Sequence, residues 1–323
     1  MRAAVYYETG GPEVFRYEEV PDPVPGPGEV LLRVEAVSIE GGDTLARSGG
    51  DLVRVPHIVG YQAAGTVVEV GAEVTRIVPG DRVVSVGVDG SHAELRVAAP
   101  SFCWVVPDGL STEEAACVPV AFGTASDCLF EFGRLQPGET ALVHAGAGGV
   151  GIAAIQLAKR AGARVLATAS SDDRLERLHR LGLDEGINYA SGDFVDAVRT
   201  LTDGRGADVV VDGVGGPTLR GSLACLAYRG RCVSFGNAGR EGDRSGLDIS
   251  SLHGNNQSLT GYFLGAELVT APRAHGVIAA LLGDIAAGGL EVVIDRRLTL
   301  EEAADAHAYI ESRQAFGRVL LVP

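Results

Sequence analysis

Thr140-Ala-Leu-Val-His-Ala-Gly-Ala-Gly-Gly-Val-Gly151 decides how this chain is read. The apolar run ALVHA passes directly into Gly146-Ala147-Gly148-Gly149-Val150-Gly151, and an amphipathic segment follows to Ala161, closed by Gly162. Strand, GxGxxG and helix in that order make a dinucleotide loop. Gly146 permits the tight turn, Gly148 lets backbone approach a pyrophosphate, and Gly151 lets the helix pack close to the strand. The helix start at Gly149 and Val150 offers oriented N–H donors and the positive end of the helix dipole to an anion. Glycine is frequent here, with 45 residues, so a turn without a ligand is the bland alternative. The flanking elements favour a nucleotide.

Downstream, RVLATAS, the helix DDRLERLHRLG, INYA, a helix starting near Ser191, DVVVDGVGG, a helix from Leu219 to Tyr228 and RCVSFGN follow in turn. Alternating helices and continuously apolar strands predict a doubly wound parallel sheet covered on both faces. Upstream, VLLRVEAVS, GTVVEVG, DRVVSVGV and HAELRVAA read as short strands, which predicts an all-β unit to about Val120. Pro21 to Glu29, PDPVPGPGE, is a surface loop, because each Pro lacks a ladder donor. From about Leu268 the tail offers EVVIDRRLTL, a helix EEAADAHAYIESR and a strand RVLLVP that could rejoin the opening unit. A chain of 323 residues also exceeds the roughly 250 at which single cores stop growing. The fold class expected is α/β, with a β-rich domain at 1–120 and 268–323 around a Rossmann domain at 121–267.

Composition narrows the function. A formal charge of -15 disfavours nucleic acid and anionic lipid as partners. The five cysteines include no CxxC, so neither a disulfide framework nor a zinc knuckle is indicated. No leader or membrane-length apolar run stands out, so a cytoplasmic protein with reduced thiols and a small-molecule substrate is expected. Lys159 is the one lysine among 27 basic residues, so individual arginines are worth reading.

An NAD-selective site would put an acid at the end of the second strand, about 20 residues on, to hold the ribose hydroxyls. Here Ser170 and Ser171 end the strand and Arg174 follows one turn later, which suits the 2′-phosphate of NADPH. Asp172 and Asp173 oppose that reading by charge. The alternative is that Ser171 caps the helix, the two acids favour its dipole, and Arg174 is solvated.

The chain resembles the zinc-independent quinone oxidoreductases (zeta-crystallin-like) of the medium-chain dehydrogenases/reductases. The segments that carry the resemblance are GYQAAGTVVEVG (Gly60 to Gly71), PGDRV (Pro79 to Val83), HAGAGGVG (His144 to Gly151), INY (Ile187 to Tyr189), VVVDGVGG (Val209 to Gly216), VSFGNAG (Val233 to Gly239) and GRVLLVP. The resemblance implies a GroES-like catalytic domain built from both chain ends, a central Rossmann domain, a substrate cleft between them, and a homodimer joined near Gly254 to Phe263. It implies that Tyr189 joins Ser171 and Arg174 around the adenosine phosphate. It also implies that Gly213, Val214, Phe235 and Asn237 line the pyrophosphate and nicotinamide path. Tyr189 reads equally as a core strand residue with its hydroxyl at the rim.

Zinc-dependent relatives hold a metal on a Cys, a His and a further Cys or acid. By resemblance those places fall to Glu40 in SIEGGD, Tyr61 in GYQAAG and Val120, so no metal is expected. Without a Lewis acid, the acceptor must itself be electrophilic, such as a quinone or an α,β-unsaturated carbonyl. The quinone oxidoreductases commonly carry Asn and Asp where this chain has Glu40 and Asp43, and often an acid where Gln62 stands. Glu40 or Tyr61 is a candidate proton donor, or all four side chains form a polar lining. An enoyl or enone reductase and a non-catalytic NADPH-binding sensor are the alternatives. His57, His92, His179, His253, His275 and His307 show no ligand spacing and read as surface or cap residues. Packing accounts for His144, Cys117 and Cys128 read as buried inert thiols, and no Ser/His/Asp arrangement stands out.

Overall fold

The computed structural model describes residues 1–240, 247 and 249–323. Its contacts divide it into one unit of Met1–Val120 with Ala271–Pro323, and a second of Ala121–Thr270.

The first unit is organised by Val30–Ser38, whose VLLRVEAVS is buried at seven of nine positions. It pairs antiparallel with Gln62–Val70, with Leu95–Ala98 and, through Val37 and Ser38, with the last strand Arg318–Val322. The full sheet runs Ile294–Thr299, Arg318–Val322, Val30–Ser38, Gln62–Val70, Arg82–Val86, Cys103–Val105. The tail therefore does rejoin the opening segment, edge to edge. Val30, Leu32, Val67 and Val83 pack one cluster, while Val34, Val37, Val319 and Leu321 pack another against the helix Ala303–Glu311. Each such side chain contributes about 1.5–3 kcal/mol by leaving water.

Two readings of this unit need correction. It is not all β, because Gly41–Gly49 is a helix, as is Thr112–Ala116. Two glycines in its first turn, Gly41 and Gly42, disguise the first helix, since glycine costs helix stability. The Asp43 carboxylate compensates by accepting the Glu40 N–H at 2.8 Å. The histidines are also not all superficial. His57, His92 and His307 are buried, and His92 meets His307 nitrogen to nitrogen at 3.0 Å beside the Phe15 ring. Burial holds the His92 imidazole neutral by pushing its pKa down to about 3. The His92–His307 contact joins segments 215 residues apart, which no spacing rule detects.

The second unit is a parallel sheet in the order Glu185–Asn188, Arg164–Ala169, Thr140–Val143, Ala207–Asp212, Leu226–Ser234, Ser258–Gly261. Numbered along the chain, this is the doubly wound 3-2-1-4-5-6 arrangement. Its switch point lies between Thr140–Val143 and Ala207–Asp212, where ligands bind outside the strand ends. The expected boundary at 268 falls inside the helix Leu264–Thr270, which stays with this unit. The helix placed at Leu219 to Tyr228 is instead Gly216–Ala224, started by Pro217, while Tyr228 lies in the strand Leu226–Ser234. The helix expected near Ser191 is Phe194–Leu201, capped by Asp193, which accepts the N–H groups of Val195 and Asp196. Among the described residues no single helix is long and apolar enough to cross a membrane.

Candidate active site

At the switch point, Thr140–Val143 ends and the chain turns through Ala145, held at φ 51°. Gly146 N–H donates to Thr168 O at 2.8 Å and Gly148 N–H to Ala145 O at 2.9 Å, which closes the loop. The helix Gly149–Arg160 then begins at Gly148 with no side-chain cap. Its first N–H groups have no intrahelical acceptor, and Gly148, Gly149 and Val150 are partly exposed. Such an end receives an anion. A Cβ on Gly151 would lie 2.4 Å from Ala145 O and 2.7 Å from Gly146 Cα, so the close helix-strand approach requires glycine. On Gly146 it would meet Ala167 Cβ at 2.9 Å.

The rim residues follow the ends of the edge strand Glu185–Asn188 and of its neighbour Arg164–Ala169. Tyr189 N–H donates to Ala169 O at 3.1 Å, which places Tyr189 beside the end of the strand that leads to Ser170 and Ser171. Tyr189 is 46% exposed, so it is not a core residue. Ser170 is exposed, and Ser171 begins the helix Asp172–His179 without capping it through its side chain. Its hydroxyl therefore has no capping duty. Asp172 accepts from Asn188 Nδ2 at 2.9 Å, which occupies one of the two acids that opposed a phosphate here. Arg174, half-buried, follows one turn in.

Across the switch point, Phe235 N–H donates to Asp212 O and Ala238 N–H to Gly213 O, both at 3.0 Å. The Phe235 ring packs on Gly213, where a Cβ would lie 2.4 Å from it. Val214 is half-buried and accepts from Gly239 N–H at 3.0 Å. Ser234 Oγ and Asn237 Oδ1 are buried with no hydrogen-bond partner among the described residues. Two orphaned polar atoms at the end of Leu226–Ser234 and just beyond it are what a polar cofactor would satisfy.

The first unit holds a different cluster. Glu40, Asp43 and Gln62 are buried, and Tyr61 is partly exposed. Arg318, the first residue of the last strand, forms a buried ion pair with Glu40 and also donates to Ile39 O at 2.7 Å and Ser38 Oγ. Gln62 Nε2 donates to Glu40 at 3.0 Å and to Ala116 O, while its Oε1 accepts the Val120 N–H at 2.8 Å. Burial pushes the Glu40 carboxyl up to about 7 against the pull of Arg318. Burial and the neighbouring Glu40 charge push Asp43 up to about 8. Burial and both acids hold the Tyr61 phenol well above its ordinary value, against the pull of Arg318. Arg318 is the residue that motif reading passed over. Its signal was a cation heading the apolar run VLLV in a chain whose arginines were singled out for attention.

Cys117 and Cys128 are buried, and burial pushes the Cys117 thiol up to about 12. Among the described residues no three His, Cys, Asp or Glu side chains gather to hold a metal ion.

A Rossmann sheet with an open glycine loop at its switch point, joined to a β-rich unit built from both chain ends, defines a nicotinamide-dependent oxidoreductase. The alcohol dehydrogenase GroES-like domain model matches residues 26–125, and the zinc-binding dehydrogenase model matches 149–282. A Pseudomonas aeruginosa quinone oxidoreductase is 38% identical over 97% of both chains. A Burkholderia 2-haloacrylate reductase is 33% identical over 100% of this chain and 99% of its own. The solved Escherichia coli quinone oxidoreductase complexed with NADPH superposes with a TM-score of 0.94 at 31% identity, covering 100% of both chains. The chain belongs to the quinone oxidoreductase family of the medium-chain dehydrogenases/reductases, which bears out the resemblance carried by its motifs.

Proposed function

We propose that this protein uses NADPH to reduce a quinone or another α,β-unsaturated carbonyl without a metal. The observation that carries the reading is the open, uncapped helix end at Gly148–Gly151, flanked by Ser170, Ser171, Arg174 and Tyr189. Gly146, Gly148, Gly149, Val150 and Gly151 hold the pyrophosphate, and the four rim residues hold the 2′-phosphate and adenine. Gly213, Val214, Phe235 and Asn237 line the nicotinamide side. Bound NADPH supplies hydride to an electrophilic carbon of the acceptor. Relatives named as quinone oxidoreductase and 2-haloacrylate reductase support an acceptor of that class.

Metal independence rests on what the ligand places already do. The Glu40 carboxylate is engaged by Arg318, the Tyr61 phenol is held protonated by burial, and the Val120 N–H is bound by Gln62. Glu40, Asp43, Tyr61 and Gln62 act as a fixed polar lining that takes no part in proton transfer to the substrate. Glu40 is paired with the buried Arg318 guanidinium, Asp43 accepts the Glu40 N–H, and Tyr61 keeps its proton across the neutral range.

The test is NADPH and NADH oxidation against panels of quinones and enones. Quinone turnover should show the same pH profile in wild type and in Tyr61→Phe. Enone turnover that falls about 100-fold in Tyr61→Phe, within the range of general-acid effects, would move the assignment to an enone reductase with Tyr61 as donor. Tight NADPH binding with no turnover on either panel would leave the sensor reading. In the same assay Arg174→Ala should raise the KM for NADPH at least about tenfold while changing NADH little; equal changes would remove the phosphate assignment.

A homodimer completes the reading. Ser258–Gly261 is the outer strand of the Rossmann sheet, and an outer strand presents unpaired ladder groups to a second copy. Tyr228 and Phe263, 65% and 73% exposed, are apolar surface of the same unit that an interface would cover. Sedimentation as a monomer at micromolar concentration would refute it.

A further inference from the structure

The second unit brings Ser222, His144, Asp212 and Thr168 together, an arrangement that sequence spacing did not expose. His144 Nδ1 lies 3.1 Å from Thr168 Oγ1, and His144 Nε2 lies 3.0 Å from Ser222 Oγ. Ser222 Oγ lies 3.0 Å from Asp212 Oδ2 and 2.9 Å from Thr218 O. All four side chains are buried. This is not a nucleophilic triad, because the serine stands between the histidine and the acid and none of them reaches the surface.

The protons in this chain can be placed one by one. Ala145 N–H can only donate, and it donates to Thr168 Oγ1 at 3.3 Å. Ser222 Oγ faces two acceptors, Asp212 Oδ2 and Thr218 O, so its single proton is used there and His144 Nε2 brings the hydrogen to it; Nδ1 then accepts the Thr168 hydroxyl proton. Burial lowers the His144 pKa and keeps the ring neutral, so its hydrogen sits on Nε2. Nε2–H donates to Ser222, whose own proton goes to Asp212 or the Thr218 carbonyl, neither of which offers one in return. Asp212 Oδ1 in turn accepts the N–H groups of Val214 at 2.8 Å and Gly215 at 2.9 Å. The donors point one way from the glycine loop at Ala145 as far as Asp212, where the N–H groups of Val214 and Gly215 converge from the other side, and such chains reinforce one another.

The two ends of this chain are the two loops that leave the switch point. Val143 pairs with Val211 in the sheet, and the His144 N–H donates to Val211 O at 3.1 Å. Beyond that link, the side-chain hydrogen bonds of His144, Thr168, Ser222 and Asp212 supply a second tie between the two loops. We propose that His144 is a positioning residue for the cofactor: with Thr168, Ser222 and Asp212 it fixes the glycine loop and the 213–215 turn relative to each other. The inference rests on the NADPH reading of those loops given above.

The experiment compares wild type with His144→Phe, Thr168→Val and Ser222→Ala. NADPH and 2′-AMP affinities are measured by calorimetry, and ¹⁵N-histidine spectra are taken on the ligand-free protein. NADPH spans both loops, whereas 2′-AMP needs only the rim at Ser170, Ser171, Arg174 and Tyr189. His144→Phe should weaken NADPH about tenfold, equivalent to about 1.4 kcal/mol, while 2′-AMP stays within about twofold. Wild-type His144 should show a single Nε2–H tautomer, unchanged between about pH 5.5 and 8, and Thr168→Val should remove that preference. An Nδ1–H tautomer in wild type, or equal weakening of both ligands in His144→Phe, overturns the proposal. Failure of the site reading looks different: wild type then binds neither ligand while the Nε2–H tautomer remains, and the positioning role falls with the site.

Discussion

Arg318→Leu lowers the unfolding midpoint of the protein by about 6–20 °C, and the deficit is larger at about pH 8.5 than at about pH 5.5. The size follows from the burial of both partners, 9% and 4% exposed at their side chains. Removing one member of a buried ion pair leaves the other charge without compensation, at a cost of about 3–5 kcal/mol. The pH dependence follows from Glu40. Its carboxyl already stands raised from 4.5 to about 7 with Arg318 present, and losing that cation raises it further. A group whose folded pKa exceeds its unfolded value binds its proton more tightly when folded. Stability is therefore retained at low pH, where Glu40 is protonated and neutral, and is lost as pH rises through the folded pKa. Glu40→Gln should also destabilise, since it strands the guanidinium, but without this slope, because arginine does not titrate in the window. The double variant Arg318→Met with Glu40→Gln should recover most of the loss, as replacing a whole buried pair is often neutral. Thermal unfolding at the two pH values measures all three. A deficit in Arg318→Leu that is flat across pH would mean that Glu40 is not the charge left behind.

The contrast between that pair and the glycine loop explains what was legible in the sequence. Gly146, Gly148 and Gly151 could be read because they stand in one six-residue pattern, and the flanking strand and helix announce themselves by period. The doubly wound order followed from the same alternation. Glu40 could be singled out as an anomaly at a ligand place, but its partner lies 278 residues away on a strand whose docking only the folded sheet reveals. His92 with His307, and His144 with Ser222, were hidden for the same reason, since hydrogen bonds between distant segments leave no periodic trace. The helix Gly41–Gly49 was missed on other grounds: its start relies on the Asp43 carboxylate rather than on helix propensity, and the two glycines ahead of it read as a loop.

Gly148→Ala and Gly151→Ala should weaken NADPH binding by comparable factors, about 10- to 100-fold, yet differ sharply in what they do to the fold. At Gly148 the backbone is at φ -82°, which any residue adopts, and a Cβ would meet only Ala145 O at 3.3 Å. The substitution asks one backbone oxygen to give by a few tenths of an ångström, far less than at Gly151, and its methyl projects where backbone must approach a phosphate. At Gly151 the Cβ would stand 2.4 Å from Ala145 O, 2.7 Å from Gly146 Cα and 2.8 Å from Gly146 C. All three atoms are backbone, and none can swing aside. The helix Gly149–Arg160 must move off the strand end, which costs about 1–3 kcal/mol as for other overpacked sites and carries the N-terminal N–H groups away from the anion. Calorimetric NADPH affinity and the unfolding midpoint, measured on both variants, separate the two effects. Gly148→Ala should keep the wild-type midpoint, and Gly151→Ala should lose several degrees. If Gly148→Ala bound NADPH as tightly as wild type, no phosphate approaches that backbone, and the anion site would have to be sought away from the helix start.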